Sequence, residues 1–169
     1  SESEYISLVN LGTFFKFITD DNRCLRKSFF DTNVRDYQGN NSVNSSIAKT
    51  LENDGNEDFW WLNNGVTILS TDIKLVTNKS LQVVDPKIVN GLQTSREIYN
   101  YFSERIDKIN KDNRTILVRV IRPESEESRD NIIFSNNNQT NIPKSSLRVT
   151  DTIHLQIEMY FKNRGLYYD

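Results

Sequence analysis

Asn90-Gly91, in "DPKIVNGLQTSREIY" (85–99), joins a β-like apolar run directly to a helical pattern whose first residues include Gln93, Thr94, Ser95 and Arg96. So short a strand-to-helix turn aims backbone N–H groups into a crevice, and those groups with the positive end of the helix dipole favour an anion. Gly91 permits the reversal and the close approach of a ligand, and Thr94 or Ser95 can cap the helix. Arg96 places a positive charge where the dipole opposes it, which an external anion would offset. The bland alternative is a capped helix with an arginine facing solvent.

Three more polar groups could work with that corner. In "NVRDYQGNNSVN" (33–44), Arg35 lies among Asp36, Gln38, Asn41 and Asn44, just where a helix begins. A guanidinium beside a helix N-terminus presents a planar donor fork to phosphate or carboxylate, unless it pairs with Asp31 or Asp36 instead. In "FWWLNNGVTIL" (59–69), Phe59, Trp60 and Trp61 either anchor a core or stack on a base, and Asn63-Asn64-Gly65 reads as a turn with positive φ. In "IFSNNNQTNIPKSSL" (133–147), Asn136, Asn137, Asn138, Gln139 and Thr140 read as an uncharged polar loop, facing a ligand or bonding its own backbone.

Other chemistries lack their residues. The one histidine, His154, sits between Ile153 and Leu155, and Cys24 has neither a nearby histidine nor a CxxC partner. No His/Cys cluster has zinc spacing, and neither GxxxxGK[ST] nor GxGxxG occurs. Asp31, Asp36 and Asp85 are the carboxylates nearest to a magnesium set, although scattered carboxylates usually serve caps and turns.

The elements that must position these groups follow from periodicity. Residues 3–19 repeat apolar positions Tyr5, Leu8, Val9, Phe15 and Ile18 at a helical period, with Gly12 as a weak point. Residues 28–42 read as a short strand entering a polar loop, and 41–55 as a short helix presenting Val43, Ile47, Ala48 and Leu51. β-branched residues at 66–76 and 81–89 predict two antiparallel strands with Thr77–Ser80 as their connection. A helix from Thr94 to about Ile109, a strand over 114–123 and an acidic-headed helix stopping at the asparagine run follow. A last helix is expected over 145–165, after which "GLYYD" ends abruptly, as in a fragment of a longer protein. The order implies an α+β fold: one compact domain over 1–169 with a small mixed sheet packed by helices.

The chain has 169 residues, 21 basic and 23 acidic side chains and a net charge of -2. That excludes a generally basic surface but permits a local basic groove, so nucleic acid is neither indicated nor excluded. A lone cysteine makes no internal disulfide, and no run reaches the roughly 18 apolar residues of a membrane span, so the protein reads as cytoplasmic with no membrane partner. Its 21 asparagines are bunched at 40–41, 63–64 and 136–138.

The four constellations, in this order, resemble the AIPR family, named for abortive-infection phage resistance. The text that carries the resemblance is "NVRDYQGNNSVNSSIAKTL", "FWWLNNGVTIL", "IVNGLQTSREIY" and "FSNNNQTNIPKSSLRVTDTIHLQIEMYFKNRGLYY", together most of residues 29–168. More distantly, "VVDPKIVNGLQTSREIY" is similar to the "DGQHR" block of ParB-like, DndB-like and GmrSD-like proteins, which implies a ParB-like fold. There Asn90 takes the place of the motif's Asp, Gly91 of its Gly, Gln93 of its Gln and Thr94 of its basic neighbour. Exchange of the acidic residue for Asn90, and loss of the basic one or its displacement to Arg96, count against hydrolysis and keep an anion-tolerant corner.

The resemblance implies a nucleotide- or nucleic-acid-binding module of a bacterial anti-phage protein. Its ligand set would be Arg35, Gln38, Asn44, Asn63, Asn64, Asn90, Gly91, Gln93, Thr94, Ser95, Arg96, Asn137, Asn138 and Gln139. The cofactor is open, a nucleoside triphosphate with Mg²⁺ being the candidate. Two alternatives stand beside it: a Mg-dependent nuclease or nucleotide hydrolase, and a domain sensing a phage component through an exposed apolar patch. The exposure of Phe59, Trp60 and Trp61 discriminates the last.

Overall fold

The computed structural model describes residues 3–32, 42–53 and 57–138. Its elements in chain order are β1 (Glu4–Asn10), α1 (Leu11–Ile18), a 3-10 turn at Lys27–Phe29, α2 (Ser42–Glu52), α3 (Phe59–Leu62), β2 (Val66–Leu69), β3 (Asp72–Thr77) and β4 (Ser80–Val84). Then come β5 (Lys87–Asn90), α4 (Leu92–Ser103), a second 3-10 turn at Ile106–Lys108, β6 (Thr115–Ile121) and α5 (Glu126–Asn138).

Four strands form one mixed sheet in the order β1-β6-β2-β5, while β3 and β4 make a separate hairpin. β6 runs antiparallel to β1 and parallel to β2, and β2 runs antiparallel to β5. The α+β class and the small mixed sheet expected from sequence are both present. Alternation along β6 buries Ile116, Val118 and Val120 on one face. Against that face pack Leu11, Phe14, Phe15 and Ile18 of α1, Ile47 and Leu51 of α2, Phe59 of α3, and Ile98, Tyr101 and Phe102 of α4. No described helix is long and apolar enough to cross a membrane.

The expected helix over 3–19 divides into strand and helix. Glu4–Asn10 alternates well enough to pair with β6, and Asn10 ends it by accepting hydrogen bonds from the Gly12 and Thr13 amides at 2.9 and 3.2 Å. The strand expected from residue 28 is replaced over 27–29 by a 3-10 turn. The span read as two strands holds four: β3 and β4 pair as the expected hairpin, while β2 and β5 join the main sheet. α4 starts two residues before Thr94 and ends at Ser103, because Gly91 itself occupies the cap and Arg105 leaves the helical region with ψ 56°. α5 does not stop before the asparagine run but continues through Asn138. The helix expected over 145–165 lies outside the described residues.

Candidate functional site

β5 delivers Asn90 and α4 begins at Leu92, so Gly91 alone makes the corner. Its φ of 90° and ψ of 23° are left-handed, a region in which side chains strain the backbone. Space is also short: a Cβ on Gly91 would lie 2.8 Å from Val66 Cγ2 and 2.9 Å from the Gly65 carbonyl oxygen. The corner is therefore pressed onto the start of β2, and the Asn63-Asn64-Gly65 segment becomes its neighbour.

No side chain caps α4. The expected capping by Thr94 or Ser95 does not occur, because Gly91 holds the cap position and both residues lie within the first turns, where they are buried. The Ser95 hydroxyl instead donates to the Gly91 carbonyl at 2.8 Å, beside the helical bond from its own amide at 2.9 Å. The amides of Leu92, Gln93 and Thr94 are thus left at the dipole's positive end without a side-chain acceptor among the described residues.

Around that end the side chains differ in how they are engaged. Asn90 Nδ2 donates to Asn136 Oδ1 at 3.1 Å, which draws α5 to the corner; Asn136 in turn donates to the Ile132 carbonyl at 2.8 Å. The Arg96 guanidinium lies 5.4 Å from the ring centroid of buried Phe30. Arg96 Nε and Gln93 Oε1 are both buried and have no hydrogen-bond partner among the described residues. Such atoms cost free energy unless something else satisfies them.

Next to the corner, between α5 and the outer face of β2 and β6, runs an open cleft of about 510 Å³. Thr67, Ser125, Ser128, Asn131, Ser135 and Asn136 supply its uncharged polar lining, and Arg119 and Glu127 bring one charge of each sign. Thr67 pairs with Asn90 across the β2/β5 ladder, and Asn136 bonds Asn90, so cleft and corner share a wall.

The second polar group does not serve the corner as expected. Asn63 has φ -132° and ψ 143°, and neither Asn64 nor Gly65 has a positive φ, so the left-handed turn is absent. Asn63 Nδ2 donates to Thr50 Oγ1 at 3.0 Å and to the Phe59 carbonyl at 2.9 Å, inside the scaffold. Asn64 is exposed. Asn44 is buried within α2. Asn137 and Asn138 fall in the last turn of α5, and Arg35, Gln38 and Gln139 lie outside the described residues.

Two of the candidate magnesium carboxylates do meet, but around a lysine. Lys87 Nζ is 3.1 Å from Asp31 Oδ2 and 3.5 Å from Asp85 Oδ1, and donates to the Ser28 carbonyl at 2.9 Å. Among the described residues no group of three or more His, Cys, Asp or Glu side chains could hold a metal ion. Of the aromatics, Phe59 is buried, whereas Trp61 is 61 % exposed and Trp60 and Leu62 are also exposed.

Sequence reasoning missed Arg119, Asn136 as a partner of Asn90, and Phe30 under Arg96. Arg119 was findable, since alternation in "RTILVRVIRP" puts it on the face opposite Val118 and Val120. The contacts of Asn90 and Arg96 link residues far apart in sequence and left no local signal.

A buried ion pair braces the scaffold behind the site. Arg114 meets Asp112 at 2.6 Å and donates to the Thr50 and Leu51 carbonyls at 3.2 and 2.9 Å, closing the C-terminal end of α2. Burial pulls the Arg114 pKa down, and Asp112 and then Tyr101, through hydrogen bonding and charge, together more than reverse it, so the guanidinium stays charged.

A family model described as AIPR protein matches residues 30–169. No curated protein and no solved structure matches the chain.

Proposed function

The chain belongs to the AIPR family, and from that premise, which points to a phage-defence protein, we propose that it binds a phosphate-bearing ligand, a nucleotide or nucleic acid, at the Asn90-Gly91 corner. The observation that carries this reading is the absence, among the described residues, of any side-chain cap on a 12-residue helix whose first turn follows a left-handed glycine. Three amides and the dipole there offer a site for phosphate oxygens. Arg96 Nε and Gln93 Oε1, buried and without partners among the described residues, supply a donor and an acceptor nearby. The adjoining cleft, with hydroxyls and amides on its walls beside Arg119 and Glu127, suits the uncharged sugar or base of the same ligand. By sequence alone Arg35, Gln38 and Gln139 belong to the same proposal.

The reading is of binding rather than hydrolysis. Asp31 and Asp85 share the Lys87 ammonium, which offsets part of their charge. A magnesium-dependent mechanism would need that lysine displaced.

Equilibrium titration with inorganic triphosphate, nucleoside triphosphates and short oligonucleotides tests the reading. Asn90→Asp sets a negative charge beside the phosphate and should weaken binding by at least about tenfold, as should Arg96→Gln. Binding should also fall as salt is raised. Failure of every ligand to bind at millimolar concentration, with the fold intact, would overturn it.

A second reading rests on a different surface. Trp60, Trp61 and Leu62 stand exposed on α3 while Phe59 anchors it, an arrangement suited to contact with a phage protein. Trp61→Ala separates the two: it should leave triphosphate binding unchanged and weaken only protein contact.

A further inference from the structure

β1 is an edge of the main sheet, and among the described residues no strand pairs with its other side. Which of its backbone groups face outward follows from the ladder. Leu11 N–H donates to Arg114 O and Arg122 N–H to Ser3 O, so the odd-numbered residues bond β6 and the even-numbered ones direct N–H and C=O away. Glu4, Ile6 and Leu8 therefore present open N–H and C=O groups, and Asn10 its N–H, its carbonyl taking the first helical bond of α1.

Natural edges usually carry a guard against pairing, such as a proline, a lysine or a bulge. "EYISLVN" has neither proline nor lysine, and its register with β6 is unbroken. Its outer face instead shows Ile6, 61 % exposed, and Leu8, 47 % exposed, with Leu117 beside Leu8.

The strand is also symmetric in polarity about Ser7, with Ile6 and Leu8 inside, Tyr5 and Val9 next, Glu4 and Asn10 at the ends. An antiparallel copy turned about a two-fold axis at Ser7 sets Ile6 opposite Leu8 twice, Tyr5 opposite Val9 and Glu4 opposite Asn10. Every hydrogen-bonded pair then uses even-numbered residues, the ones that face outward. A slip of two residues would set Glu4 against Leu8 or Asn10 against Ile6, and a slip of one would offer groups already bonded to β6.

We propose that β1 is the self-pairing edge of a homodimer, two copies joining antiparallel about Ser7 into a continuous eight-stranded sheet. The occupant is a second copy rather than a foreign strand because the pattern complements itself, as a two-fold interface requires. A single pair of seven-residue strands is a small interface, so the dimer is weak and forms with rising concentration.

The symmetry gives a sharp test. Ser7 would face its own copy in a non-hydrogen-bonded pair, with Cα atoms about 4.5 Å apart, within disulfide reach. In a Cys24→Ser background, which removes the exposed native thiol, Ser7→Cys should give disulfide dimer at least about tenfold faster than Ser80→Cys on the β3/β4 hairpin. Ile6→Lys, at an exposed position, should weaken association of the whole chain by at least about tenfold in sedimentation. If that variant fails to fold, the cysteine comparison still decides.

Exchange protection of the Glu4, Ile6 and Leu8 amides should rise with protein concentration. A chain that stays monomeric, with Ser7→Cys no faster than Ser80→Cys, overturns the proposal. Protection of those amides at every concentration in a monomer also overturns it, giving the edge to another segment of the same chain.

Discussion

Asn63-Asn64-Gly65 and Asn90-Gly91 are near copies in sequence and neighbours in space, yet they do opposite work. The first is extended, and its amide is fastened to Thr50 and Phe59. It belongs to a braced region in which Arg114 and Asp112 close α2, and Asp58 accepts from the Thr115 amide and hydroxyl at 2.8 and 3.1 Å. The second is left-handed and opens a helix with no side-chain cap among the described residues, and the Asn90 side chain donates to Asn136. The contrast teaches that an Asn-Gly pair fixes neither the conformation of the chain nor its purpose. Purpose depends on whether the surrounding polar atoms are already satisfied.

The largest way to break the contrast is to unbrace the first region. Asp112→Ala leaves Arg114 charged and mostly buried, which should cost about 3–5 kcal/mol in denaturant unfolding. Next comes Gly91→Ala, where left-handed strain of about 1–2 kcal/mol adds to overpacking of about 1–3 kcal/mol against Val66 and Gly65. Gly91→Asn sharpens this, since asparagine tolerates the conformation but not the crowding. A stability near that of Gly91→Ala would assign the cost to space.

Asn63→Ala removes two part-buried donations and should cost about 1–2 kcal/mol, whereas Asn64→Ala should stay within about 0.5 kcal/mol. Equal losses at the two would erase the distinction between them. Asn90→Ala falls between these, at about 0.5–1.5 kcal/mol for one partly buried amide pair. Its larger effect should be on ligand affinity, read by titration beside Asn63→Ala at matched folded fraction.

Much of this organisation was legible in the sequence. The period of "SVNSSIAKTLE" gave α2, alternation gave β6, and the short turn before "LQTSREIY" gave the glycine corner. β1 was not legible, because "EYISLVN" followed by "LGTFFKFI" keeps apolar residues near a helical spacing across the junction. The asparagine run looked like a stop, yet α5 absorbs it, partly through the bond from Asn136 back to the Ile132 carbonyl. Within the candidate site, Gly91 followed from backbone need. The partners of Asn90 and Arg96 did not, since both contacts depend on how distant elements pack.

The direct test of phosphate recognition at the corner is an amide-resolved NMR titration of the chain with inorganic triphosphate and then a nucleoside triphosphate. The expected result is saturable shifts concentrated at the Leu92, Gln93 and Thr94 amides and at Arg96 Nε, lost in Asn90→Asp and unchanged in Asn63→Ala. Saturable binding that leaves those four N–H groups unmoved would contradict it.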